Sequence, residues 1–195
     1  FSSHHAFAKV ARTMEEARGT DLPYAVFSVA KILNDGHATV MSYDMPPPLM
    51  IDDLQCVVLN QNTTTVGDAV IAEASCRMHP GDALILLSDG ITQAGLGTLY
   101  ANGWEPEGVC RYINARCVDR IPTQDIPGKL MRTVLDMEGG KRYDDYTIAM
   151  AYCRSGKIVN VLTGPPLDST TDRAVIERFM AMEGKLVVCG STTAD

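Results

Sequence analysis

Apolar residues near the start of the chain fall at Phe7, Val10, Ala11, Met14 and Ala17. That three-and-four spacing is one stripe of an α-helix, so residues 7–18 are predicted helical, with Gly19 as the stop. The rhythm then changes to β-branched and aromatic runs. Residues 24–33 and 37–43, joined by Asn34-Asp35-Gly36, predict a β-hairpin. Pro46, Pro47 and Pro48 cannot donate to a ladder, so the chain leaves the sheet there; it re-enters at 49–51 and continues in a strand at 55–60. Residues 61–68 are polar and Thr-rich, and a surface loop is expected. A strand is expected at 70–78, then a turn at His79-Pro80-Gly81-Asp82. Residues 83–87 are continuously apolar, the pattern of a strand buried on both faces, and they run straight into Ser88-Asp89-Gly90.

Helical periodicity returns at 106–120, through Val109, Tyr112, Ile113 and Arg116, and at 122–138, through Ile126, Leu130, Met131, Val134 and Leu135. Gly139-Gly140 ends the second helix, and Asp144-Asp145 leads into a strand at 146–153. The last forty or so residues change character: a strand at 157–162, a break at Gly164-Pro165-Pro166, a helix at 171–182 with Ala174, Val175, Phe179 and Met182 inward, and a strand at 186–189. A strand-helix-strand order is the local signature of a parallel crossover, whereas the earlier part reads as antiparallel strands beside segregated helices. The expected organisation is therefore α+β, with a first domain at 1–154 and a small β-α-β extension at 155–195.

Composition narrows the function classes. The 195 residues carry 17 Lys+Arg against 24 Asp+Glu, a net charge of −7, with no basic run. A phosphate-backbone binder needs clustered Lys and Arg, so no nucleic-acid partner is expected, while acidity suits cation binding. The apolar runs are far shorter than the ~18 residues a membrane helix needs, so no membrane partner is expected. Six cysteines stand at 56, 76, 110, 117, 153 and 189 without a C-x-x-C pair. Cys56, Cys76, Cys153 and Cys189 lie in apolar runs and read as small buried hydrophobes, and a reducing, cytoplasmic setting is expected. His4 and His5 read as a solvent-exposed pair rather than as metal ligands.

Two aspartates stand out by position. Asp89 follows a buried strand and precedes a glycine; Asp144 opens an acidic pair before another strand. A carboxylate at the end of a rigid strand is pre-oriented for a hard cation, and two brought together by a sheet would make a pocket for Mg²⁺ or Mn²⁺. The plainer alternative is a turn at Asp89-Gly90 and an exposed loop at Asp144-Asp145. Fifty-five residues separate the two, so spacing alone does not join them. Asp35, in a hairpin turn, is expected to be exposed.

The order of these pieces resembles the stage II sporulation protein E type of the PPM metal-dependent protein phosphatases. The resemblance lies in the strand pair with Pro46-Pro47-Pro48-Leu49, in Pro80-Gly81-Asp82-Ala83-Leu84-Ile85-Leu86-Leu87-Ser88-Asp89-Gly90-Ile91-Thr92, and in Asp144-Asp145-Tyr146-Thr147. It implies a sandwich of two antiparallel β-sheets with flanking helices. It also implies Asp89 and Asp144 as metal ligands supported by Asp145, Mn²⁺ or Mg²⁺ as cofactor, and hydrolysis of phosphoserine or phosphothreonine in a phosphorylated regulatory protein. The family's Asp-Gly-x-Gly motif, whose Asp bridges two ions, has no counterpart in these 195 residues; the Asp-Gly pairs are Asp35-Gly36 and Asp89-Gly90. The expectation is accordingly a phosphatase domain incomplete at its N-terminus, with weak or single-site metal binding. A non-catalytic module that binds a phosphoprotein is the alternative, and a depleted sheet edge would favour a homodimer. Residues 162–166 and 188–194 are similar to an extension on family members associated with iron-hydrogenase gene clusters, with Ser191 where those have Gly.

Overall fold

The computed structural model describes residues 2–20, 22–53, 55–140, 144–164 and 169–190. The chain forms two compact units, Phe1–Arg154 and Ser155–Asp195. The proposed C-terminal motif around Ser191 lies outside the described residues.

In the first unit, helix α1 (Ser3–Arg18) starts one turn earlier than the apolar stripe suggests and ends at Gly19, after which the Thr20 N–H donates to the Ala17 carbonyl at 3.0 Å. Phe7, Ala8 and Ala11 are buried, while Val10 is turned outward. His4 and His5 sit in the exposed first turn. One antiparallel sheet contains β1 (Phe27–Ile32), β2 (His37–Tyr43), β5 (Asn62–Val66) and β6 (Ala69–Arg77), in the order β1-β2-β6-β5. The other contains β3 (Leu49–Asp52), β4 (Gln55–Val58), β7 (Ala83–Leu87) and β8 (Ile148–Tyr152), in the order β4-β3-β7-β8, again antiparallel. Helices α3 (Glu105–Val118) and α4 (Ile126–Met137) cover the second sheet.

The period of two along each strand sorts residues between three core clusters. On β2, Met41 and Tyr43 join Phe7, Ala8 and Ala11 of α1, while Ala38 and Val40 turn to the other sheet. On β7, Ala83, Ile85 and Leu87 face Val109, Ile113, Ile126 and Leu130, while Leu84 and Leu86 face the first sheet. Leu49 and Ile51 follow the first pattern, and Met50 the second. The stack is therefore helix, sheet, sheet, helices. It explains why 83–87 is apolar without interruption: a central strand with packed layers on both sides has no face to give to water.

Three expectations are corrected. Residues 61–68 are not simply a loop, because 62–66 form β5, an exposed edge strand whose polar character suits its position. Threonine is β-branched and favours strands, and Val66↔Ala69 closes a tight hairpin through Gly67-Asp68, with Gly67 at φ +64°. Cys189 is exposed and Cys76 and Cys153 are only half-buried, while Cys110 and Cys117, which occupy inward helix positions, are buried. In the second unit, α5 (Asp172–Met180) buries Phe179 but leaves Ala174 and Met182 exposed. There β9 (Val159–Thr163) pairs in parallel with β10 (Lys185–Cys189), which gives the crossover its expected form.

Edge strand β4 is closed by a side chain. The Cys56 N–H donates to Asn114 Oδ1 at 2.6 Å, and Asn114 Nδ2 donates to the Cys56 carbonyl at 3.1 Å, so α3 supplies what a further strand would. Asn114→Ala removes both partners at once and is expected to cost about 1–3 kcal/mol in urea unfolding, with an unchanged m-value. A loss below about 0.5 kcal/mol would show that this edge is adequately hydrated without Asn114.

Candidate functional site

β7 and β8 are antiparallel neighbours, with Leu87 opposite Ile148. The end of one therefore lies beside the start of the other, which brings Asp89 and Asp144 to the same place despite their separation in sequence. Ser88 extends the pairing beyond the strands. Its N–H donates to the Thr147 carbonyl at 3.0 Å, its hydroxyl donates to the Asp145 carbonyl at 2.8 Å, and the Thr147 N–H donates to its Oγ at 2.9 Å. Ser88 is the N-cap residue of a one-turn helix, α2 (Asp89–Thr92), yet its side chain is spent on this cross-strand link rather than on the helix.

Gly90 sets the closeness of the two segments. A Cβ there would stand 2.7 Å from the Asp145 carbonyl oxygen, 2.9 Å from Tyr146 Cδ1 and 3.2 Å from Asp144 Cβ. Only a residue without a side chain allows this approach. The Asp89 carboxylate accepts from the Gly90 N–H at 3.0 Å, and Asp144 accepts from the Asp145 N–H at 2.7 Å. Each carboxylate is thus held by the backbone beside it. Asp89 is half-buried; Asp144 and Asp145 are exposed.

These residues line an open cleft of about 880 Å³ whose charged side chains are Arg18, Asp44, Asp89, Asp144 and Asp145. Arg18, at the end of α1, donates to Asp44, lies 3.7 Å from Glu15 and stacks its guanidinium 5.2 Å from the centroid of Tyr24. The hydrogen bond to Asp44 is the main cause that holds this guanidinium charged beyond even the usual arginine range. Carboxylates outnumber the cation in the cleft, and that cation is already committed. A second cavity, of about 610 Å³, shares Gln93 and Asp144 with the first and extends to Leu96, Leu99 and Glu138. There the Glu138 carboxylate accepts from the Gly95 N–H at 2.7 Å and ties the loop after α2 to the end of α4.

The three acidic residues singled out in the sequence therefore converge on one cleft. Among the described residues, no group of three or more His, Cys, Asp or Glu side chains is disposed to hold a metal ion. Asp35 stays in the β1–β2 turn, where hydrogen bonds from the His37 N–H (3.1 Å) and ring (3.0 Å) hold its carboxyl below the usual range. Asp82 is also structural: buried, it accepts from the His79 N–H at 2.6 Å and shapes the turn before β7. Sequence reasoning assigned no role to Ser88, Arg18, Asp44, Gln93 or Glu138. For Ser88 a signal existed, since a hydroxyl residue precedes the Asp-Gly of the matching motif; the others lie in unrelated segments that only folding assembles.

Comparison with known proteins bears on the family and the fold. The family model described as Stage II sporulation protein E (SpoIIE) matches residues 3–154. The phosphatase domain of the cell fate determinant SpoIIE from Bacillus subtilis is similar in structure, with a TM-score of 0.57 at 16% identity over 81% of this chain and 76% of that chain. Its Mn-presoaked form gives 0.60 at 17% identity, over 81% and 68%. A crystal form without domain swapping gives 0.52 at 18% identity, over 76% and 73%. At such identities the likeness is one of fold. No curated protein matches the chain.

Gly90→Ala tests the close approach directly. The added methyl must push residues 144–146 away from α2, at an expected cost of about 1–3 kcal/mol in thermal or urea unfolding. Ser88→Ala, which removes the cross-strand hydroxyl, is expected to cost about 1–2 kcal/mol. If both variants unfold like the parent, the two segments are not held together as described.

Proposed function

The chain belongs to the stage II sporulation protein E family, and from that premise we propose that its cleft serves divalent-metal-dependent hydrolysis of phosphoserine or phosphothreonine in a regulatory protein. The fold is that of the PPM-type phosphatase domain. The observation that carries the proposal is the meeting of Asp89 and Asp144 at the paired ends of β7 and β8, in an acidic cleft open to solvent.

The donor chemistry fits a cation in part. Carboxylate oxygens suit Mg²⁺ and Mn²⁺, and Asp89 and Asp144 would hold the ion, with Asp145 beside them. The described residues bring no third ligating side chain into the group, and residues 1–195 contain no Asp-Gly-x-Gly. The set present therefore suits one weakly held ion rather than a two-ion centre. A bound divalent cation supplies Lewis-acid polarisation of phosphoryl oxygen and lowers the pKa of water.

The protein's own contribution is positional and electrostatic. Ser88 and Gly90 lock the two carboxylate-bearing segments at a fixed separation, so little reorganisation is needed when an ion or substrate arrives. A phosphoryl group entering the cleft meets net negative charge, because Arg18 is already paired with Asp44. That repulsion is the physical reason for this site to require a cation before it accepts a phosphate. No side-chain nucleophile is needed for hydrolysis of this kind.

The partial ligand set favours a second reading, in which these residues form a module that binds a phosphorylated partner without hydrolysing it. Calorimetry with Mn²⁺ and turnover of p-nitrophenyl phosphate separate the two. For these 195 residues the expected result is weak, single-site Mn²⁺ binding with negligible turnover, and Asp89→Asn or Asp144→Asn should weaken binding by at least about tenfold, or 1.4 kcal/mol. Robust turnover that survives Asp89→Asn would remove the metal-site assignment. Absence of Mn²⁺ binding, with retained affinity for a phosphoserine peptide, would favour the binding module.

A further inference from the structure

We propose that Cys56 and Cys110 form an oxidisable dithiol pair that joins edge strand β4 to helix α3 as a disulfide when the protein meets a peroxide. The two sulfurs lie 3.2 Å apart. They come from elements already fastened to one another by the paired hydrogen bonds between Asn114 and the Cys56 backbone. Both side chains are buried in the same cluster, between the second sheet and α3. Closing this gap to the ~2.0 Å of a disulfide requires about an ångström of sulfur movement.

Either sulfur can donate to the other; with Cys56 as donor, the hydrogen bond lowers the Cys110 thiol below its usual range and raises that of Cys56. In that arrangement Cys110 is the attacking thiolate and Cys56 the resolving thiol. The Cys110 sulfur attacks one peroxide oxygen and the O–O bond breaks. The departing hydroxide takes up the proton Cys110 has given, leaves as water, and Cys110 becomes a sulfenic acid. Cys56 then attacks that sulfur: the S–S bond forms, the S–O bond breaks, and the hydroxyl leaves with the Cys56 proton as a second water. Two thiols are oxidised and one peroxide is reduced to two waters.

The bond would close the loop from 56 to 110, which includes β5, β6, β7 and Asp89. A cross-link across so long a loop restricts the unfolded chain strongly and fastens the sheet on which Asp89 is mounted. This is independent of whether the cleft hydrolyses phosphate.

The experiment exposes the reduced native chain to a small excess of hydrogen peroxide. Remaining thiols are then blocked in denaturant and the peptides mapped without reduction. The expected result is a linked peptide pair containing Cys56 and Cys110 that dithiothreitol separates, with loss of two of the six thiols. The unfolding midpoint is expected to rise by about 5 °C or more. Cys117→Ala should leave the link intact, and Cys56→Ala should abolish it. Retention of all thiols, a link through any other cysteine, or Cys110 oxidised without a link to Cys56 would overturn the pairing. A linked form that melts lower than the reduced one would overturn the fastening role.

Discussion

The pairing of β7 with β8 is the constraint on which the rest of this molecule turns. Antiparallel pairing, with Leu87 opposite Ile148, aligns two strands whose ends carry the acidic residues, and Ser88 continues that alignment by one residue through its N–H and its hydroxyl. Because the strands run in opposite directions, the exit of one is necessarily the entrance of the other. Asp89 and Asp144 come to line one cleft for that reason, and Gly90 allows their two segments to approach closely.

That pairing is secured from both sides. Ala83, Ile85 and Leu87 are packed against α3 and α4, and Leu84 and Leu86 against the first sheet. A strand locked on both faces cannot slip by a single residue without sending its entire inward set to the wrong layer. The register that places Asp89 beside Asp144 is thus enforced by packing well away from the cleft. At the opposite edge of the same sheet, Asn114 and the Cys56–Cys110 contact close the open side of β4. The sheet that carries the cleft is therefore held at a central strand and at its margin.

Much of this was legible in the residue pattern. The hairpin at Asp35-Gly36, the two-faced burial of 83–87, the two covering helices and the parallel crossover of the second unit all follow from period and punctuation. Edge strand β5 is hidden in the sequence because polarity along 62–66 signals exposure as strongly as it signals a loop, and the Gly67-Asp68 hairpin turn is the cue that separates the two. Cys189, exposed within an apolar run, shows the converse. An apolar neighbourhood in sequence indicates a strand, but not which of its residues the tertiary structure covers.

The sequence by itself determined the order of elements, the family motifs and the identity of Asp89, Asp144 and Asp145 as the acidic residues of interest, because these are local properties of type and spacing. The tertiary structure decided the rest: that the aspartates share one cleft with Arg18 and Asp44, that Ser88 is committed to a cross-strand link, and that Cys56 touches Cys110. Each of these depends on strand register and on which layer packs over which. Those are set by the simultaneous burial of distant apolar residues, and no short window of sequence contains that information.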